Sequence, residues 1–126
     1  MKPRILVVDD EAAISDLVSH YFRQQGYDTA TASSAAETQQ LIAANPYDLV
    51  ILDIDLRGAD GLELLGIIKQ AHPRIAVIMF TGLGFDESLL QKALQNGASG
   101  YASKTLPLDH LLIEVLRTLE LQRQRR

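Results

Sequence analysis

Five residues with chemically useful side chains each stand directly after an apolar segment of the sequence. Asp9 and Asp10 follow the first segment, Asp53 follows a later one, and Thr81 and Lys104 follow two more. Three carboxylates brought together repel one another, so at neutral pH they must either protonate in part or bind a cation. The chain has no cysteine, and no histidine follows these segments, so the ligands would be oxygens. Oxygen ligands favour a hard cation, Mg²⁺ or Mn²⁺ in its place.

The other groups would suit an anion that binds beside such a cation. Lys104 supplies a point charge, and the Thr81 hydroxyl can donate a hydrogen bond. The loop amides of Gly82 and Leu83 are further candidate donors. A carboxylate nucleophile beside a divalent cation and a lysine can carry out phosphoryl transfer, because both positive charges neutralise the equatorial oxygens. The residue types therefore indicate a phosphoryl-transfer site, provided that the fold brings them together.

Alternating strand and helix patterns supply the fold that this chemistry needs. Short apolar segments alternate with segments of helical periodicity five times along the chain. The predicted strands are residues 5–8, 27–32, 49–52, 75–80 and 101–103, and a helix follows each one. Such alternation predicts an α/β fold with a parallel sheet, right-handed crossovers and five helices. Ligands bind such sheets beyond the carboxyl ends of the strands, where all five residues would converge.

Helix patterns predict two caps and one packing face. Ser34 with Glu37 forms a capping box for the second helix. Asp60, with Glu63 three residues later, is predicted to cap the third helix rather than to bind a metal. The last helix is expected to place its apolar residues on one face: Leu111, Leu112, Val115, Leu116 and Leu119.

Composition limits the chain to one domain and excludes several classes of protein. The chain has 126 residues, of which 47% are hydrophobic, so residues 1–126 are predicted to form a single domain with its own core. A net charge of −4 gives no reason to expect a nucleic-acid partner. The first apolar run is too short for a signal peptide or a membrane span. Absence of cysteine agrees with a cytoplasmic setting. Residues 120–126 are interpreted as a basic tail or the start of a linker.

The order of these motifs resembles that of bacterial response-regulator receiver domains, from residue 4 to about residue 120. The matching pieces are Asp9-Asp10-Glu11, residues 48–53, Leu56, Gly58, Asp60-Gly61, Thr81 and residues 97–104. Each piece alone is weak evidence, but all of them in order, each at a strand end, are specific. The resemblance implies a flavodoxin-like, doubly wound sheet of five parallel strands in the order 2-1-3-4-5.

The resemblance also implies a role for each site residue. Asp53 would be the phosphoacceptor. Asp10 and Asp53 would bind Mg²⁺ directly, together with the main-chain carbonyl of Asp55, and Asp9 would act through water. Thr81 and Lys104 would contact the phosphoryl group.

A switch and a set of partners are implied as well. Tyr101 would swing inward when Thr81 moves toward the phosphoryl group, and the surface of the fourth helix, fifth strand and fifth helix would change with it. A sensor histidine kinase or phosphotransfer protein would supply the phosphoryl group. A downstream effector or output domain would bind the changed surface, and a phosphorylation-dependent homodimer is compatible with this scheme. Such a domain phosphorylates and dephosphorylates itself but is not otherwise an enzyme, and it binds neither nucleic acid nor membrane.

The chain departs from the family pattern at four positions. Arg57 and Thr105 stand where the family usually has proline, Gly82 where it often has alanine, and Asp55 where many members have an apolar or amide residue. None of these changes removes a catalytic group. Because a cis bond before a residue other than proline costs about 2.5–4 kcal/mol, the Lys104–Thr105 bond is predicted to be trans.

Two alternative functions fit the sequence less well. Asp53-Ile54-Asp55 resembles the Asp-x-Asp opening of haloacid-dehalogenase-type phosphatases, with Asp53 as nucleophile and Asp55 as general acid. That motif normally follows the first strand, Arg57 replaces the usual Thr or Val, and the chain is short for the class. A flavodoxin-like cofactor binder would need a first loop that offers amides to an anion, whereas this loop is acidic.

Overall fold

Five parallel strands form the central sheet of the computed structural model, which describes residues 2–82 and 86–124. Along the chain they are β1 (Arg4–Val8), β2 (Asp28–Ala32), β3 (Leu49–Leu52), β6 (Ala76–Thr81) and β7 (Gly100–Ser103). A short antiparallel pair, β4 (Asp55–Leu56) and β5 (Ala59–Asp60), lies between the third and fourth of them. The sheet order is β2-β1-β3-β6-β7. Counted by the sheet strands alone this is 2-1-3-4-5, so the predicted fold class and strand order are confirmed.

Helices cover both faces of the sheet. They are α1 (Ala12–Gln24), α2 (Ala35–Ala44), α3 (Gly61–Ala71), α4 (Glu87–Gln95) and α5 (Leu108–Gln124). Side chains of β1 alternate between two apolar clusters, with Ile5 in the cluster beneath α1 and α5, and Leu6 in the cluster beneath α2, α3 and α4. Among the described residues, no helix is both long enough and apolar enough to cross a membrane.

The β4–β5 hairpin was not predicted from the sequence. Its strands have two residues each, too few for a periodic signal, and Arg57 and Gly58 form the turn between them. Gly58 has a φ of +75°, in the left-handed region that favours glycine. Leu56 is buried and anchors the hairpin in the core. The hairpin therefore begins two residues after Asp53, at the carboxyl end of β3.

Both predicted helix caps are present. The Glu37 amide donates to Ser34 Oγ at 3.1 Å, while the Glu37 carboxylate accepts from the amide of Ser33 at 2.7 Å rather than from that of Ser34. The Leu62 amide donates to Asp60 Oδ1 at 2.9 Å, so Asp60 caps α3 as predicted.

The prediction of a single apolar face on α5 was partly wrong. Leu111 and Val115 are buried, but Leu116 is 50% exposed. A helix that packs on a sheet buries a narrow stripe, and Leu116 lies about 100° around the helix from Val115. Exposed Ile113 and Leu116 instead form part of the outer surface of α5.

Candidate metal site at the carboxyl edge of the sheet

The acids after β1 and β3 lie side by side because the two strands are neighbours in register. Val8 is paired with Leu52, and the Asp53 amide donates to the Val8 carbonyl at 3.1 Å. Asp9, Asp10 and Asp53 can each offer a carboxylate oxygen such that all three atoms lie within 4.8 Å of one another. Asp9 and Asp53 are buried, whereas the Asp10 side chain is 19% exposed. The cluster therefore opens to solvent on the side of Asp10.

Lys104 directly follows β7, the outer strand of the sheet, and its side chain extends along the carboxyl edge to this cluster. Its Nζ lies 2.6 Å from Asp9 Oδ2 and 3.0 Å from Asp53 Oδ2. Its amide donates to the Thr81 carbonyl at 2.8 Å, which extends the β6–β7 pairing by one residue and aims the side chain along the edge. One ammonium group thus faces two buried carboxylates and offsets only part of their negative charge.

Burial and ion pairing act in opposite directions on these groups. Burial raises the pKa of Asp53, and the hydrogen bond and charge of Lys104 reverse this only in part. Burial also acts to lower the pKa of Lys104, but its hydrogen bonds to Asp9 and Asp53 outweigh that effect and leave the pKa raised. Lys104 is therefore positively charged at neutral pH.

Thr81 and Tyr101 lie on the adjacent strands β6 and β7. Thr81 ends β6, is buried and is paired in register with Ser103. Tyr101, in β7, is half-buried against the cluster beneath α2, α3 and α4. Burial raises the pKa of the Tyr101 phenol, and the carboxylate of Asp86 raises it further. The ring therefore lies near the start of α4.

The loop after β6 is only partly described. Gly82 is exposed, and a Cβ at this position would lie 3.7 Å from Lys104 Cδ, an ordinary contact distance. Alanine would therefore fit at this position. Leu83, the other predicted amide donor, lies outside the described residues.

The main chain of Asp55 lies beside the acid cluster. The Asp55 amide donates to Asp53 Oδ1 at 3.3 Å, and its side chain is exposed in β4. Its neighbour in the hairpin, Asp60, is engaged as the α3 cap.

The main-chain amide of Thr105 stabilises the turn after Lys104 through a hydrogen bond that proline could not donate. The Thr105 amide donates to Ser103 Oγ at 3.1 Å, and the two hydroxyls are 2.6 Å apart. Proline lacks this amide hydrogen. The Lys104–Thr105 bond is trans, as predicted.

Gly61 and Arg57 have structural roles that were not predicted from the sequence. A Cβ on Gly61 would lie 2.7 Å from both Cα and O of Ile54 and closer still to the Asp53 carbonyl. Glycine thus lets the start of α3 pack directly under the segment that carries Asp53. Arg57 Nε lies 3.8 Å from Asp10 Oδ2 at the open side of the cluster. The only sequence signal for the packing of Gly61 was its position directly after the capping residue Asp60. The sequence contained no signal for the contact between Arg57 and Asp10.

The cluster could bind a divalent metal ion. Its donors are carboxylate oxygens close enough to share one ion, and the open side leaves room for water or a phosphate oxygen as further ligands. Two buried carboxylates beside one lysine are a site poor in positive charge, which a divalent cation would correct.

Comparison with known proteins gives one family. The family model for the response regulator receiver domain matches residues 5–116. The nitrogen assimilation regulatory protein NtrX of Azorhizobium caulinodans is 42% identical over 124 residues, which are 97% of this chain and 27% of that protein. The chain therefore spans about a quarter of the length of that relative.

Two further proteins match over almost their whole length. Sporulation initiation phosphotransferase F of Bacillus subtilis is 30% identical, over 97% of this chain and 98% of that protein. A CheY-like response regulator receiver domain protein from Methanospirillum hungatei has a TM-score of 0.93 at 30% identity and covers 100% of both chains. The comparisons give no support to the haloacid-dehalogenase alternative, and Asp53 follows the third strand of the chain rather than the first.

Proposed function

This chain belongs to the response regulator receiver domains of two-component signal transduction, and from that premise we propose that it accepts a phosphoryl group on Asp53 in a Mg²⁺-dependent reaction. The observation that carries the proposal is the contact of Lys104 with Asp53 and Asp9, beside a third carboxylate within 4.8 Å. A candidate nucleophile, two further carboxylates that could hold a metal ion and a fixed cation lie at one edge of the sheet. These are the groups that phosphoryl transfer requires.

Asp10 and Asp53 would hold Mg²⁺ directly, with the main-chain carbonyl of Asp55, and Asp9 would act through a water molecule. The contact of the Asp55 amide with Asp53 supports this, since it brings the Asp55 main chain to the edge of the cluster. The metal would neutralise charge on the phosphoryl oxygens. Carboxylate and carbonyl oxygens are the ligands that such an ion prefers.

The protein's own groups would carry out the transfer. An Asp53 oxygen attacks the phosphorus of a phosphohistidine on a sensor kinase or phosphotransfer protein. The new O–P bond forms as the N–P bond breaks, and the imidazole leaves. Lys104, released from Asp53, holds a phosphoryl oxygen, and the Thr81 hydroxyl donates to another. The name of the B. subtilis relative, a phosphotransferase matched over 98% of its length, supports this reaction class.

Output would follow from movement at Thr81. We propose that Thr81 turns toward the phosphoryl group, that Tyr101 then moves inward, and that an effector or output domain binds the changed surface of α4, β7 and α5. Exposed Ile113 and Leu116 on α5 offer apolar area for such a partner or for a second copy of the domain.

The proposed receiver unit is residues 1–126, acting in the cytoplasm, with residues 120–126 as a basic tail or the start of a linker. Helix α5 continues to Gln124, beyond the end of the family match at residue 116. A helical extension is a suitable connection to a following output domain, and this chain covers only 27% of NtrX.

Intact-mass measurement tests the proposed function. The protein is incubated with acetyl phosphate, with Mg²⁺ or with excess EDTA, as wild type, Asp53→Asn and Asp60→Asn. We expect a gain of one phosphoryl group that requires Mg²⁺ and is absent in Asp53→Asn. Asp60→Asn is the matched control, because asparagine also caps a helix and the residue is not in the acid cluster. Phosphorylation of Asp53→Asn, or phosphorylation in EDTA, would contradict the assignment.

A further inference from the structure

Arg57 lies over the open side of the acid cluster. It is in the turn of the β4–β5 hairpin, and its side chain is 85% exposed. Its Nε is 3.8 Å from Asp10 Oδ2, the carboxylate that faces solvent. Leu56, which precedes Arg57, is buried, and Gly58, which follows it, completes the turn with a φ of +75°.

The charges of the cluster are distributed between two cations. Lys104 contacts Asp9 and Asp53, and Arg57 contacts Asp10. Within residues 2–82 and 86–124, three carboxylates therefore face two cations at ion-pair distance, which leaves one negative charge. A divalent cation on Asp10 would compete with Arg57 for the same carboxylate. A phosphoryl group on Asp53 would then restore negative charge within a few ångströms of the displaced guanidinium.

We propose that Arg57 is a second phosphoryl-binding cation of this site, which pairs with Asp10 before metal binding and contacts the phosphoryl oxygens once Asp53 is modified. This inference rests on the proposed function. An exposed ion pair at this distance is weak, so the guanidinium can leave Asp10 easily. Its planar fork can donate two parallel hydrogen bonds to a pair of phosphoryl oxygens, a geometry that the single ammonium nitrogen of a lysine does not offer. The Asp10 and Asp53 oxygens lie within 4.8 Å, so the move between them is short.

Pairing with Asp10 and binding of the phosphoryl group predict opposite effects of one substitution on the affinity for a metal ion and the affinity for beryllofluoride, which takes the place of the phosphoryl group. Arg57→Gln removes the cation that competes with the metal for Asp10, so Mn²⁺ should bind about two- to fivefold more tightly. Electron paramagnetic resonance measures this affinity through the concentration of free Mn²⁺. The same variant loses a phosphoryl contact, so beryllofluoride should need an about three- to tenfold higher concentration for half-saturation at saturating Mg²⁺. Arg57→Lys should keep the metal affinity of wild type and recover only part of the beryllofluoride affinity.

Arg123→Gln is the matched control. This arginine is also exposed, with a side-chain exposure of 78%, and pairs with Glu120 at the far end of α5. It should leave both affinities unchanged. If Arg57→Gln binds beryllofluoride as tightly as wild type, or if both affinities fall together as in a general disturbance of the site, the proposal is overturned. If wild type itself binds no beryllofluoride in Mg²⁺ and gains no phosphoryl group, the proposed function fails first, and the two failures are distinguishable.

Discussion

Two glycines of α3 differ in how closely the rest of the chain packs against them. Gly61 starts the helix under the Asp53 segment, and its amide donates to the Ile54 carbonyl at 2.7 Å. Gly66, one and a half turns later, has nothing within 4 Å of an added Cβ and does not have a positive φ. Gly61 is therefore required by close packing, whereas Gly66 has no such requirement from the rest of the chain.

Replacement of these glycines by alanine should change the free energy of unfolding in opposite directions. Gly61→Ala should destabilise the protein by about 1–3 kcal/mol or more, because backbone rather than a flexible side chain must move. Gly66→Ala should stabilise it by about 0.5–1 kcal/mol, because alanine restricts the unfolded chain and favours the helix. Urea denaturation followed by circular dichroism measures both changes. Equal effects of the two substitutions would show that the close approach at Gly61 is not a constraint on the fold.

At the scale of elements, α1 and α5 are joined across one face of the sheet. Both pack on the cluster that contains Phe22 and Val115. The Tyr21 hydroxyl of α1 also donates to Asp109 Oδ1 in the first turn of α5, at 2.6 Å. This hydrogen bond raises the pKa of Tyr21 to about 12, with smaller contributions from burial and from the charge of Asp109. The phenol thus reports on the contact between the two helices.

The pH dependence of this contact has a definite sign. Below pH 10 the phenol is protonated in the folded and unfolded states, and the hydrogen bond stabilises the fold. Between about pH 10 and 12 the unfolded chain loses the proton first, so this contribution falls as pH rises. In Asp109→Ala, the pKa of Tyr21 should return toward 10.

Absorbance titration near 295 nm measures this pKa. The chain has four tyrosines, so the curve of Tyr21→Phe is subtracted to isolate Tyr21. An unchanged Tyr21 titration in Asp109→Ala would mean that the two helices are not joined by this hydrogen bond.

At the scale of the whole molecule, the fold keeps a cluster of like charges at one edge. Strand pairing places Asp9, Asp10 and Asp53 together regardless of their repulsion, and Lys104 and Arg57 offset it incompletely. Folding of the metal-free protein therefore works against this repulsion. Any cation that binds only the folded state should stabilise the whole domain.

Thermal denaturation in Mg²⁺ and in EDTA tests this expectation. At a free Mg²⁺ concentration about 100 times its Kd, the free energy of unfolding should rise by about 2.7 kcal/mol, which is several degrees in Tm. Asp10→Asn should stabilise the metal-free protein by on the order of 1 kcal/mol and reduce the gain from Mg²⁺.

Asp16→Asn, on the exposed face of α1, is the control and should behave as wild type. If Asp10→Asn melts below wild type in EDTA, the repulsion that we infer is not present.

Local sequence patterns determined the elements and their class. Strand runs such as residues 49–52 are apolar throughout because both faces of a parallel sheet are covered, and this can be seen without coordinates. Regular alternation then implied a parallel sheet, and the strand-end acids implied where a ligand would bind. The strand order and the individual roles came from resemblance to a family, since alternation alone is compatible with several orders.

Only the tertiary structure decided what depends on distances between segments far apart in the chain. The contacts of Lys104 with Asp9 and Asp53 depend on the pairing of β6 with β7 and on how far the side chain reaches along the edge. The exposure of Leu116 depends on which stripe of α5 meets the sheet, which periodicity leaves open by about one residue. The hairpin that brings Arg57 to Asp10 has strands of two residues, too short for any periodic signal. A sequence encodes local preferences residue by residue, whereas these contacts arise from the packing of several elements at once.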